Sequence, residues 1–138
     1  MRAAVKAVLE GDVTLMAILT GGVHTKAEIS RQGTPTAFDA NEEIEPCALL
    51  KVESVTPVGP YRHSARMFLT LYWYERSGYD NIEAARARGY TLLHRTCVSP
   101  STGSCWEIVH GGDVLDQEDQ ALGCSMAVSR YVATIMRA

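Results

Sequence analysis

The chain lacks the compact signatures of the common chemistries. It has no G-x-x-x-x-G-K-[ST] and no G-x-G-x-x-G, so no glycine-rich loop is laid out to cradle phosphate. Gly21-Gly22 follows a predicted helix rather than opening one, which is the wrong order for a phosphate loop. Gly103-Ser104-Cys105 is not G-x-S-x-G, and no other stretch resembles a nucleophile elbow. The four cysteines, Cys47, Cys97, Cys105 and Cys124, form no C-x-x-C pair, and the four histidines form no H-x₃₋₅-H pair. Structural zinc needs such pairs, because one turn then supplies two ligands. His94 and His110 flank the loop that Cys97 and Cys105 straddle, so a site across that loop stands beside the plainer expectation of core thiols and surface imidazoles. The calcium-loop pattern is also missing. No catalytic residue, cofactor or metal is expected.

Long apolar runs are missing as well. No stretch of about 18 apolar residues exists, so no membrane-spanning helix is expected. Lys6, Glu10 and Asp12 break the N-terminal apolar runs, so no signal-peptide core is expected there. The protein should stay in the compartment where it is made, with its thiols free and buried. Charge of one sign is scarce too. Thirteen basic residues face 16 acidic ones, for a net charge of −3. That argues against a dedicated nucleic-acid binder, which shows a strongly basic face. It leaves room for a protein that nucleic acid slides past.

What is present is enough for one domain, residues 1–138, with 46% hydrophobic residues to fill a core. Charged residues make up 21%, slightly below the usual share of about 25%, so part of the surface is expected to be covered by neighbours.

Residues 2–9 put Ala4, Val5, Val8 and Leu9 on one helical stripe. Gly11 interrupts, and Asp12 is placed to cap a second short helix that Gly21-Gly22 would end. Residues 24–46 show little periodicity. A loop this long is either disordered or functional, and its second half is acidic, with Asp39, Glu42, Glu43 and Glu45. It is either a solvated flap or an arm that orders against a neighbouring subunit.

Residues 47–56 and 62–75 predict an antiparallel hairpin. In the second strand Met67, Leu69, Leu71 and Trp73 share one face, and Arg66, Phe68, Thr70, Tyr72 and Tyr74 share the other. Large groups on both faces imply that both touch protein. Residues 80–94 predict a helix with an Asp80/Glu83 capping box and a stripe of Ile82, Ala85, Gly89, Leu92 and Leu93. Gly89 costs roughly 1 kcal/mol there, and its place on the stripe suggests close packing on the sheet. Residues 96–104 are expected as a loop and 105–110 as a strand. Gly111-Gly112-Asp113 is expected to turn the chain into an acidic loop at 113–120, and 121–136 to form a last strand. The last strand has a greasy face (Leu122, Cys124, Met126, Val128) and a flat face of small residues such as Ala127 and Ser129. The order α-α-β-β-α-β-β predicts an α+β domain: an antiparallel sheet of about four strands with helices packed on one face.

Three groups stand out as interaction candidates. Phe68, Tyr72, Trp73 and Tyr74 form an aromatic cluster, and such residues are enriched at interface hot spots. An internal core role explains them equally well. Arginine supplies ten of the 13 basic residues, six of them between Arg62 and Arg95. Arg86 and Arg88 sit on the predicted helix, either solvated or paired with an acidic loop of a neighbouring subunit. The acids Asp113, Asp116, Glu118 and Asp119 are solvated charge in the plain reading.

The stretch AVKAVLEGDVTLMAILTGGV resembles the N-terminal helical pattern of phage tail-completion proteins, which include the tail terminators of long-tailed phages. The strand after a proline (Pro46-Cys47-Ala48-Leu49-Leu50), residues 67–93 and the last strand over Met126–Val132 follow that family's order of elements. Cys47 stands where the family often carries an aromatic residue. The resemblance implies a non-enzymatic virion protein at the head–tail joint, made in the host cytoplasm. It implies a homo-oligomeric ring, typically a hexamer, that caps the tail tube, ends its polymerisation and joins it to the neck. Its partners would be the tail tube protein and neck or head-completion proteins. DNA would pass through the lumen without sequence-specific binding, and no membrane is involved. In such a ring Asp113, Asp116, Glu118 and Asp119 would face the lumen or the tube, repelling phosphates so that DNA slides. A neighbouring head-completion adaptor is the nearest alternative, and a small-ligand binder or enzyme is the more distant one.

Overall fold

The computed structural model describes residues 1–60, 64–99 and 105–136. Helix α1 (Arg2–Glu10) buries Val5 and Leu9, the centre of the expected stripe. Asp12 adopts an extended backbone and accepts a 2.8 Å hydrogen bond from the Leu15 amide, which starts α2 (Val13–Ile18). The glycine pair does not stop this helix as expected. Leu19 already caps it. Gly21 instead lies flat against the next crossing chain. Its N–H donates to the Pro46 carbonyl at 2.8 Å, and a Cβ there would sit 3.0 Å from the Cys47 Cβ. Gly22 has φ +83°, a conformation open to glycine. The pair thus lets the chain join the sheet as β1 (Val23–His24), parallel to β2 (Cys47–Pro57).

β2 turns into β3 (Ala65–Glu75), and the two pair antiparallel as predicted. The start of the predicted strand at 62–63 lies outside the described residues. Helix α3 (Asp80–Leu93) follows, then β4 (Thr96–Val98), β5 (Cys105–Asp119) and β6 (Cys124–Met136). The sheet order is β1-β2-β3-β6-β5-β4.

This overturns the expected sheet of about four antiparallel strands with helices on one face. The sheet has six strands, is mixed because β1 runs parallel, and curls into a half-barrel in a mostly β molecule. Two of the additional strands are too short to carry an alternating pattern. β4 falls in the stretch expected as loop, whose residues 100–104 lie outside the described residues. The Gly111-Gly112-Asp113 turn does not exist. β5 runs straight through it by means of a bulge between His110 and Gly112, where Gly112 takes φ +125°. A second bulge lies between Val114 and Gln117, with Asp116 at φ +54°. Bulges add twist and bend a strand without ending it.

The larger core lies where the helices meet the sheet. Val5, Leu9, Leu15, Ile82 and Leu93 pack with Leu69, Leu71 and Trp73. The small face of β6 is what admits these bulky groups. Ala127 lies opposite Trp73 in the sheet, and the Trp73 indole N–H donates to the buried Ser129 hydroxyl at 2.9 Å. Gly89 completes the fit, since a Cβ there would lie 2.9 Å from the Trp73 ring. A second, smaller core lies on the far side of the sheet. There Ile29, Ala37 and Ile44 cover Cys47, Leu49, Tyr74 and Cys124.

The α3 N-terminus is held differently from the expected capping box. Tyr79 is the N-cap and supplies no side-chain bond. The Glu75 carboxylate, at the end of β3, accepts from the Asn81 and Ile82 amides at 3.1 and 3.2 Å and from the Asn81 side chain at 2.9 Å. A carboxylate there satisfies orphan N–H groups and suits the positive end of the helix dipole.

Candidate functional site

The densest polar cluster joins α3 to β5 and β6. Arg86 donates to Asp113 Oδ2 at 2.8 Å, and His110 Nε2 lies 3.0 Å from Asp113 Oδ1. The His94 ring stacks on Tyr90, with centroids 4.6 Å apart, and its Nδ1 accepts from the His110 amide at 3.0 Å. Tyr131 meets the His110 ring edge-on. A cavity of about 460 Å³ lies between them. Burial by itself would push the Asp113 carboxyl up. Hydrogen bonds from His110 and Ser129, with the charges of His110 and Arg86, outweigh it and hold Asp113 below the usual carboxylate range. Burial also raises the Tyr131 phenol. Both carboxylate oxygens are engaged within the chain, so this arrangement works as a strut that ties the helix to the sheet.

Arg88 does the same for α1 and α2. It grips Asp12 with two hydrogen bonds, 2.8 Å from Nε and 2.7 Å from Nη2. Fork-to-fork pairing of this kind is specific to arginine. The Arg88 bond, then the Leu15 amide, hold the Asp12 carboxyl at about 2. Arg86 and Arg88 are therefore paired inside the chain, and neither sits on a bare helix face.

The aromatic cluster divides between the two sides of the sheet. Trp73 is wholly buried in the larger core and Tyr74 in the smaller one. Tyr72 is half-buried, donating to Glu53 at 3.3 Å with Lys51 above its ring. Phe68 remains exposed on the far side. Phe68 and Tyr72 line an open trough of about 600 Å³ with Thr70, Arg130 and Val132.

The 24–46 segment is folded onto its own sheet. A 3-10 turn at Pro35–Ala37 and a bridge between Phe38 and Ile44 shape it. Asp39 accepts from the Asn41 and Glu43 amides at 2.8 and 3.0 Å. Glu43 pairs with Arg76, and the Glu42 carbonyl accepts from Arg31 at 3.0 Å. Glu45 is half-buried. The Asp39 carboxylate shapes the segment and Glu43 ties it to Arg76, in a fold that no apolar periodicity announced.

The acids at 113–119 lie on β5 and not in a loop. Asp113 and Glu118 fall opposite Ser129 and Ser125, and Asp119 opposite Cys124. Asp113 points into the strut, and Asp119 accepts from Leu122 at 3.0 Å to shape the turn into β6. Asp116 and Glu118 are exposed. Among the described residues no group of three His, Cys, Asp or Glu is placed to hold a metal. The His94–His110 pair does come together, through a ring-to-amide bond that needs no metal. Glu75 and Ser129 carry structural hydrogen bonds that no sequence motif marks, and Tyr131 contributes its ring, with its buried hydroxyl unpartnered among the described residues.

No known sequence family matches the chain, and no curated protein matches it. The fold is a different matter. A chain in the virion of a native gene transfer agent particle superposes with a TM-score of 0.76. It covers 98% of this chain and 93% of its own length, at 14% sequence identity. At that identity the likeness is one of fold.

Proposed function

We propose that this chain is a non-enzymatic structural virion protein, a ring-forming tail terminator at the head–tail joint of a phage-like particle. It caps the tail tube, ends tube polymerisation and joins the tube to the neck. The observation that carries this is the fold shared over nearly the full length with a chain of a gene transfer agent virion. The order of elements in the sequence, which resembles tail-completion proteins, supports it independently.

A ring needs a heterologous interface that closes on itself. The exposed acids Asp116 and Glu118 face the lumen or the tube, where negative charge keeps DNA phosphates from binding. The test is the mass of the purified protein, alone and mixed with the tail-tube protein of the same particle. A closed ring, or one that forms only with the tube, is expected. A monomer that ignores the tube overturns the proposal. Reversing charge at Asp116 and Glu118 should slow DNA ejection, and ejection at the normal rate would remove the lumen role.

A further inference from the structure

The sheet has two bare edges, and they are complementary. β1 covers only Ala48 and Leu49 of β2, so the outer edge of the β2 stretch 51–57, the side away from β3, has no strand beside it among the described residues. β4 covers only Trp106–Ile108 of β5. Beyond it the His94 side chain blocks the His110 amide, and the Tyr79 hydroxyl blocks the Gln117 carbonyl at 2.9 Å. Between those stops, the outer edge of 111–115 is open among the described residues. Unpaired edges are templates for another chain. Each bare stretch here also carries exposed apolar groups: Val55 (54% exposed) on one, Val114 and Leu115 (38% and 47%) on the other.

We infer that the bare β2 edge of one copy pairs with the bare β5 edge of the next, so that the proposed ring is joined by a sheet continuous through its copies. This rests on the ring reading above. Three features of the fold favour a second copy as the occupant. The first is polarity. β2–β3, β3–β6 and β6–β5 are each antiparallel, so β2 and β5 run in opposite directions. A neighbour in the same orientation therefore extends the sheet in the same antiparallel sense, without a flip.

The second is shape. The bare part of β2 lies at the β4 end of the sheet, and the bare part of β5 lies at the β1 end. Each copy is stepped, and a neighbour displaced along the strands seats its step in the other's notch. Closing a sheet on itself requires such a stagger together with strand tilt. The third is selectivity. The two bulges and the His94 and Tyr79 stops restrict pairing on β5 to one short window, which limits indiscriminate edge pairing.

Native mass spectrometry over a rising concentration series tests this with three proteins. The wild type should form closed rings. Val55→Lys and Leu115→Lys should each be monomeric, with unchanged circular dichroism because both positions are exposed. An equimolar mixture of the two variants should give dimers and nothing larger. One intact edge pair survives between unlike copies, and none is left to extend it. Hydrogen exchange on the wild type reads the same joint without a substitution: amides within 51–56 and 111–115 should slow on assembly. Wild-type rings that survive both substitutions, or a single variant that still dimerises, overturn the edge joint and leave the ring standing. A wild type that stays monomeric both alone and with the tail-tube protein overturns both.

Discussion

The two sides of the sheet are covered by different means, and the difference shows where this molecule stores stability. On the helix side, long apolar side chains from three helices meet a strand of small residues, and Trp73 fills the gap between Gly89, Ala127 and Ser129. On the far side, half the sheet is covered by an irregular segment with three buried apolar residues, and the other half is open. Regular elements bring many side chains per turn. A loop brings few, and spends its polar groups on holding its own shape.

The largest test of this contrast is Trp73→Ala. It removes the centre of the helix-side core, and large aromatic truncations of this kind cost about 3–5 kcal/mol. Urea unfolding should report a loss in that range. Phe68→Ala on the open half should change stability by less than about 0.5 kcal/mol, as exposed substitutions do. Equal losses at the two positions would erase the contrast.

Ile44→Ala tests the covered half of the far side. Its cost should be about 2 kcal/mol, the low end for such truncations, because a segment can open without the sheet unfolding. Thiol labelling reads that opening. Burial first, then the charges of nearby groups, push Cys47 up to about 12 and Cys124 up to about 11. In the wild type both should resist alkylation, since the thiolate is the reactive form. In Ile44→Ala, Cys47 and Cys124 should label faster, while the slope of unfolding free energy with denaturant stays unchanged. No change in labelling would mean that the segment is not what shields them.

A smaller effect belongs to Glu75. Glu75→Ala leaves the α3 amides without their acceptor, and loss of a helix cap costs about 1 kcal/mol. The exchange of the Asn81 and Ile82 amides should speed up while that of the β3 amides stays unchanged.

The two sides also differ in how well the sequence announced them. The helix side was legible. The stripe of Val5 and Leu9, the Asp12 cap, the alternation of β3 and the place of Gly89 all follow from periods of 3.6 and 2. The far side was not. Ile29, Ala37 and Ile44 are spaced too irregularly to form a pattern, so the segment reads as a loop whether or not it is folded. The sheet was under-counted for a similar reason. Two and three residues carry no alternation, and Gly111-Gly112-Asp113 spells a turn even where it makes a bulge. Arg86 and Arg88 were visible as candidates, but their partners Asp113 and Asp12 lie far along the chain. Only the fold reveals that each has an acidic partner within one molecule.

The last and smallest effect concerns the helix side alone. Asp12 is an ordinary carboxylate in the unfolded chain, with a value near 4. In the folded chain Arg88 and the Leu15 amide hold it at about 2. A depressed folded value means that the unfolded state binds the proton first. The stabilisation is therefore complete above about pH 4, and it drains away as pH falls toward 2. Asp12→Asn keeps a helix-capping side chain but loses the charge that Arg88 grips. It should lower stability at neutral pH, and the gap to the wild type should narrow steadily between about pH 4 and 2. Asp113, also held low on the strut to α3, contributes in the same direction, so the variant's own stability curve should keep a residual slope. A gap that stays constant across that range would mean that the Asp12–Arg88 pair adds shape to the helix junction and no pH-dependent stability.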